Sequence, residues 1–315
     1  MRNKLVIIGL GNIGKRHLQA AAKVEGLAEI VGFDVSADAI KSIPSFCSVN
    51  GIKFDRIKTI GDRPEMLASI DPGAIVIVAT TARGRVPLLE DIIARRPLAV
   101  IAEKPLCQNG PEYEKIIKVA ADSGVNIYVN FPRHAFPAYR DIFNALDRRG
   151  RISFSARFPD GLACIGIHMF ELMTWLLKGK DYLILNAKER GVYETKRAGY
   201  QDLDGDVALE LNGKDLAFFS TIKEQELFSI RIAAGDKEFS VYESEKKLII
   251  ADTSGAMSIK EIDVFYVSQV SALVIEELIK TGRSKILPDI EGARLAHQIL
   301  FESLEKSRLA GINIT

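Results

Sequence analysis

The chain has 315 residues, room for two domains of ordinary size. Its composition, 47% hydrophobic and 26% charged, is that of a soluble globular protein and excludes a disordered one. Lys plus Arg number 42 against 41 Asp plus Glu, a net charge of +1, so neither a nucleic acid nor a membrane surface is expected as a partner. The three cysteines, Cys47, Cys107 and Cys164, show no CxxC spacing. That argues against a disulfide framework or a structural zinc, and no metal ligand set is expected. The first apolar run is broken by Gly9 and is far shorter than a leader core or a membrane span, so the expected location is the cytoplasm.

Through residue 130, apolar runs alternate with helical patterns, the signature of an α/β domain with a parallel sheet. Strands are expected at Lys4–Ile8, Glu29–Phe33, Ala74–Ala79, Leu98–Ala102 and Asn126–Asn130, with a weaker one at Lys58–Ile60. They are rich in Val and Ile and barely alternate, as strands buried on both faces do. Helices are expected at Ile13–Val24, Glu65–Ile70, Val86–Arg95 and Glu112–Ser123. Asp62 would cap the second, with Pro64 in its first turn.

The pattern changes after Phe131. Helices are expected at Ala138–Leu146 and from His168 to Leu177, followed by short alternating runs. These are Asp206–Leu211, Leu216–Ile222, Phe228–Ala233, Phe239–Glu243 and Lys247–Ala251, with Asn212-Gly213 a two-residue hairpin signal between the first two. Helical patterns at Phe265–Lys280 and Ile290–Leu309 close the chain, with Gly282 and Gly311 as stops. The expected architecture is a doubly wound Rossmann domain over residues 1–130 and an α+β domain over 131–315. The second is built on an open antiparallel sheet with helices on one face, and the last helix is expected to pack back on the first domain.

Gly9-Leu10-Gly11-Asn12-Ile13-Gly14 follows a predicted strand and opens a predicted helix. Gly9 permits the tight turn, Gly11 lets a pyrophosphate approach the backbone, and Gly14 lets helix and strand pack closely. Asn12 and Ile13 would offer N–H groups of the first helical turn. Asp34 ends the second strand about 20 residues beyond Gly14, where a carboxylate accepts from ribose hydroxyls and repels a 2′-phosphate. The cofactor expected is therefore NAD, with NADP left open. Ala79, Thr80 and Thr81 at the end of the fourth expected strand, and Glu103-Lys104-Pro105 at the end of the next, complete the expected cofactor crevice. There Lys104 could hydrogen-bond a substrate hydroxyl and steady developing alkoxide charge.

With these motifs the chain resembles the glucose–fructose oxidoreductase, inositol dehydrogenase and MocA (Gfo/Idh/MocA) family. The likeness is carried by Gly9–Gly14 with His17, by Glu103-Lys104-Pro105, and by Val129-Asn130-Phe131-Pro132-Arg133 leading to Pro137-Ala138-Tyr139-Arg140. It continues in Gly166-Ile167-His168 with Glu171 and Trp175-Leu176-Leu177. The resemblance implies an NAD(P)-dependent dehydrogenase or reductase acting on a sugar-like substrate as a homodimer or homotetramer. It implies that Lys104 binds the reacting hydroxyl and that His168 is the general acid/base, a role suited to its ordinary pKa.

The chain also departs from the family. Cys164 stands where family dehydrogenases usually carry an Asp, and Arg85 stands where a His is common. Arg83, Arg85 and Arg133 would suit an anionic or nucleotide-linked sugar, or they are merely solvated; Cys164 is a reactive thiol or a small apolar filler. The alternative reading is a dinucleotide-binding sensor of the same fold with lost or weak catalysis. Gln201–Asp206 lacks the Gly and Glu of a calcium loop and reads as a turn before a strand, and no hydrolase motif is present.

Overall fold

The computed structural model describes residues 3–221, 228–307 and 311–314. It divides into two compact units. One holds the chain up to Cys107, Pro111–Pro132 and Phe265–Gly292; the other holds Gln108–Gly110, Arg133–Val264 and the chain from Ala293 onward.

In the first unit, β1 (Asn3–Ile8), β2 (Leu27–Phe33), β3 (Ile57–Ile60), β4 (Ala74–Val78), β5 (Ala99–Ala102) and β6 (Asn126–Val129) form one sheet. Its order is β3-β2-β1-β4-β5-β6 and every pair is parallel. The strand order reverses between β1 and β4, so a crevice opens at their carboxyl ends, where dinucleotides bind in such sheets. Leu5 to Ile8 and all of β4 are buried, which accounts for the unbroken apolar runs. The helices are α1 (Asn12–Ala21), α2 (Ala37–Lys41), α3 (Ile43–Val49), α4 (Arg63–Ala68), α5 (Arg85–Ile93) and α6 (Gly110–Ser123). Asp62 caps α4 by accepting the Glu65 N–H at 2.9 Å, as expected. The short helices α2 and α3 have too few residues for periodicity to reveal. Their cues are local: Ser36 accepts the Ala39 N–H at 3.3 Å, and Pro44 stands in the first turn of α3.

In the second unit, α7 (Pro137–Ala145), β7 (Ile152–Phe158) and α8 (Ile167–Leu176) lead into a run of strands. These are β8 (Tyr182–Glu194), β9 (Gln201–Leu211), β10 (Asp215–Thr221), β11 (Ser229–Ala234), β12 (Lys237–Tyr242), β13 (Lys247–Asp252) and β14 (Met257–Glu261). The sheet runs β14-β13-β12-β11-β7-β10-β9-β8. It is mixed, because β7 and β10 pair in parallel while the remaining pairs are antiparallel. A chain that leaves β7 through α8 and the β8–β9 hairpin returns alongside β7 in the same direction, so the antiparallel expectation fails at that one pair. Asn212 (φ 56°) and Gly213 (φ 63°) make the expected hairpin turn between β9 and β10.

β9 begins at Gln201, so the segment expected as a turn is strand. Asp202 points inward there and is 1% exposed. Phe219 of β10 packs edge-on against Phe170 of α8 at 4.7 Å, which marks the helix-covered face of the sheet.

The chain then forms α9 (Val267–Thr281), capped by Gly282 at φ 71°, and α10 (Arg294–Lys306). α9 packs on α1 in the first unit through buried Val270, Val274, Ile275 and Leu278, whereas α10 packs on α8 and β8 in the second. α9 thus belongs to the first unit and α10 to the second. Ile222 and Leu309, the final residues of two expected elements, lie outside the described residues.

Candidate functional site

The glycine loop has the form its spacing predicts. Gly9 adopts φ 96°, and a Cβ there would lie 3.0 Å from the Ala79 backbone. Gly14 lies against Gly9 so closely that a Cβ would come within 1.8 Å of the Gly9 carbonyl oxygen. Gly11, by contrast, has open space at its Cβ position and starts α1 with no side-chain cap. The loop is thus closed against its own strand and helix but open where a phosphate would approach the first-turn N–H groups.

Asp34 belongs to the same loop. Its Oδ2 accepts the Leu10 N–H at 2.7 Å and its Oδ1 accepts the Ser36 N–H at 2.8 Å. Val35, next to it, is 87% exposed. The carboxylate is held at the carboxyl end of β2 by N–H groups on either side of it, one of them from the loop that would hold the pyrophosphate. Ala79, Thr80 and Thr81 follow β4 across the same crevice edge.

Glu103 and half-buried Lys104 follow β5. Glu103 Oε1 accepts Asn130 Nδ2 at 2.6 Å and lies 3.1 Å from His17 Nε2; His17 Nδ1 is 2.9 Å from Ser271 Oγ of α9. Burial pushes the Glu103 carboxyl up, but the His17 hydrogen bond and charge, Lys104 and Asn130 outweigh it and hold it below the usual range. Asn130 was read only as part of the segment Val129–Arg133, with no role given to it, and Ser271 carries no local signal because it arrives from the far end of the chain.

Arg85 is 2% exposed. Its guanidinium donates to the carbonyls of Thr80, Glu103, Pro105 (2.6 Å) and Leu106 (3.3 Å). Its partners are protein carbonyls rather than an open cleft. Arg83 is exposed.

In the second unit, Cys164 lies on a π-helical turn, Leu162–Gly166, that runs into α8. Asp202 of β9 accepts the N–H groups of Ala163 (2.9 Å), Cys164 (2.8 Å) and Leu203 (2.8 Å). Gly161 lies against that carboxylate, and a Cβ would come within 2.1 Å of it. His168 is the second residue of α8 and is half-buried. On the same helix, buried Glu171 lies 2.7 Å from His134 Nε2, and the His134 ring stacks on Trp175 at 4.1 Å.

Arg133 makes a two-pronged pair with Glu243, both contacts at 2.8 Å, and the Tyr139 hydroxyl donates to the same carboxylate at 2.6 Å. Burial works to lower the Arg133 pKa, but Glu243 more than offsets it and keeps the guanidinium charged. Burial and the Glu243 charge push the Tyr139 phenol well up.

Residues 3–131 match the model of the Gfo/Idh/MocA family, described as an oxidoreductase family with an NAD-binding Rossmann fold. The match spans the parallel sheet of the first unit, from β1 to β6. No curated protein matches the chain in sequence. Among solved structures, the chain is similar to UDP-N-acetylglucosamine 3-dehydrogenase from Acidithiobacillus ferrooxidans, with 16% identity, 98% of each chain covered and a TM-score of 0.74. It is similar to an Agrobacterium radiobacter oxidoreductase in complex with NAD+, L-tartaric acid and magnesium, with 14% identity, 98% and 97% covered and a TM-score of 0.76. It is also similar to a candidate myo-inositol dehydrogenase from Sinorhizobium meliloti 1021, with 18% identity, 97% of each chain covered and a TM-score of 0.72. At these identities the likeness speaks for the fold, and it extends through both units.

In the first unit, the glycines, Asp34, Ala79–Thr81 and Glu103–Lys104 all stand at the carboxyl ends of β1, β2, β4 and β5. Among the described residues, no helix is long and apolar enough to cross a membrane.

Proposed function

We propose that this protein is an NAD(H)-dependent oxidoreductase that moves hydride between the cofactor and a hydroxyl or carbonyl carbon of a sugar, cyclitol or sugar derivative. The observation that carries the cofactor reading is the Asp34 carboxylate, fixed by the Leu10 and Ser36 N–H groups beside a glycine loop that is open only at Gly11. Residues 34–38 contain no basic side chain that could receive a 2′-phosphate, which supports NAD over NADP. When bound, the nicotinamide supplies the hydride acceptor or donor.

The chain's own residues supply the rest. The Lys104 ammonium donates to the reacting oxygen and steadies negative charge on it as the carbon–hydrogen bond breaks. His168 takes the hydroxyl proton in oxidation and returns it in reduction. Arg85 and Arg133 are committed to protein carbonyls and to Glu243, so neither is assigned to an anionic substrate group. Cys164 is retained as a candidate substrate contact. The likeness to a nucleotide-sugar dehydrogenase and a candidate cyclitol dehydrogenase supports the substrate class.

Self-association is part of the same reading. Strand register puts exposed Leu183, Leu216, Phe218 and Ile259 on one face of the second sheet, opposite the face that Phe219 presents to α8. An exposed apolar face of this kind fits a homodimer or homotetramer. The three free cysteines fit the reducing cytoplasm.

The test is nicotinamide absorbance under single-turnover conditions with NAD+ and a panel of cyclitols, aldoses, sugar acids and nucleotide sugars. A burst of NADH with one class is expected. Lys104→Ala should cut the rate by about 10²–10³-fold, the usual weight of one donor to a developing oxyanion, with NADH affinity nearly intact. Equal activity in that variant removes Lys104 from its role. Cofactor binding with no hydride transfer, in either direction, would favour a sensor instead.

A further inference from the structure

We infer that Arg85 is the positioning residue for Lys104, setting where the ammonium stands along the crevice at the ends of β4 and β5; this rests on the oxidoreductase reading above. A guanidinium carries its N–H donors in one rigid plane, and the two terminal nitrogens of Arg85 donate into two loops. Thr80 belongs to the loop after β4, and Glu103, Pro105 and Leu106 belong to the loop after β5. The second set brackets Lys104 on both sides in sequence. Any shift of the Lys104 backbone would pull carbonyls off a buried charge, which is costly because that charge has been withdrawn from water.

The same fork ties the two loops to each other. Thr80 borders the crevice in which a nicotinamide would lie, and Lys104 carries the group that meets the substrate oxygen. With one planar cation bridging them, the spacing between cofactor and ammonium is fixed by the protein before either ligand arrives. Hydride transfer is sensitive to such spacing, because reacting groups displaced by about an ångström lose much of their rate. A lysine at position 85 would keep the charge but present it as a point, with fewer donors and no plane. Charge alone therefore does not reproduce the bridge.

Arg56 provides an internal control. It too lies in the first unit and donates to backbone carbonyls, those of Ala22, Val24 (3.0 Å) and Leu27 (3.0 Å). Those groups follow α1 and begin β2, at the opposite end of the sheet from Lys104.

The test compares wild type, Arg85→Lys and Arg56→Lys by two readouts. The first is single-turnover hydride transfer alongside NADH affinity. Arg85→Lys should slow transfer by tenfold or more while NADH affinity changes less than threefold, and Arg56→Lys should leave the rate within twofold. The second is amide hydrogen exchange over residues 103–107, which should quicken in Arg85→Lys and stay at wild-type rates in Arg56→Lys. A wild-type transfer rate in Arg85→Lys, or equal losses in both variants, overturns the assignment. If wild type itself binds NADH without transferring hydride, the oxidoreductase reading falls. Exchange then decides the positioning role by itself, and unchanged exchange in Arg85→Lys refutes it.

Discussion

His17 and Glu103 are 86 residues apart in the chain, and their side chains meet at 3.1 Å, joining the helix that follows the glycine loop to the end of β5. The contact places a carboxylate that is held ionised directly before Lys104. It has a measurable consequence for stability. Glu103 has a folded pKa below its unfolded one, so its contribution is fully present above the unfolded value and is lost as pH falls through the folded value. With an unfolded pKa near 4.3, the loss should begin below about pH 5. In urea unfolding, Glu103→Gln should be less stable than wild type at pH 7, and the gap should narrow as pH drops toward 3. A gap that is constant with pH would mean that the carboxylate charge has no part in the contact.

The glycines of the loop should fail differently. Gly14→Ala puts a methyl group against the Gly9 carbonyl, which forces the loop to move, so lowered melting temperature and lost NADH binding should appear together. Gly11→Ala meets no protein atom within 4 Å. It should fold with wild-type stability yet bind NADH at least tenfold more weakly, because its methyl occupies the phosphate approach. Thermal melts read beside fluorescence titrations check both. Tight NADH binding by Gly11→Ala would show that the phosphates lie elsewhere.

Asp34 should set cofactor choice. Replacing it with Ala removes the ribose acceptor and the repulsion of a 2′-phosphate together. NAD+ should weaken by about tenfold, roughly 1.4 kcal/mol, while NADP+ gains or holds. Competitive titration against NADH gives the ratio directly. An unchanged NAD+ to NADP+ ratio would refute the assignment.

Arg133 and Glu243 form a nearly buried ion pair, with side chains 11% and 10% exposed. Glu243→Ala leaves a guanidinium uncompensated and also removes the acceptor of the Tyr139 hydroxyl, so a loss of about 3–5 kcal/mol is expected. The double variant Arg133→Met with Glu243→Leu should recover most of it, since no stranded charge remains. Urea unfolding of the single and double variants separates the two outcomes. A double variant no better than Glu243→Ala would mean that the pair stabilises beyond mutual neutralisation.

By itself, the sequence determined the six strands of the first sheet and the turn after β1. Fully buried parallel strands leave unbroken Val and Ile runs, and a phosphate-binding turn requires glycine at positions where a side chain would collide with backbone. Gly9 and Gly14 were legible for that reason, and Asn212-Gly213 was legible because its hairpin turn needs positive φ at both residues. β7 carried a readable alternation in Ile152, Phe154, Ala156 and Phe158, whereas β14 is exposed throughout and left no pattern.

Only the tertiary structure decided which polar groups meet. Arg85 and Arg133 looked alike as cations near a cleft, but one bridges four carbonyls and the other is neutralised by Glu243. Asp202 looked like part of a turn and instead holds the N–H groups ahead of α8. The parallel pairing of β7 with β10 and the return of α9 to α1 are likewise invisible locally. Periodicity and backbone sterics act over a few residues and mark the sequence where they act. A buried charge takes its partner from whatever the fold brings near it, and those partners lie anywhere in the chain.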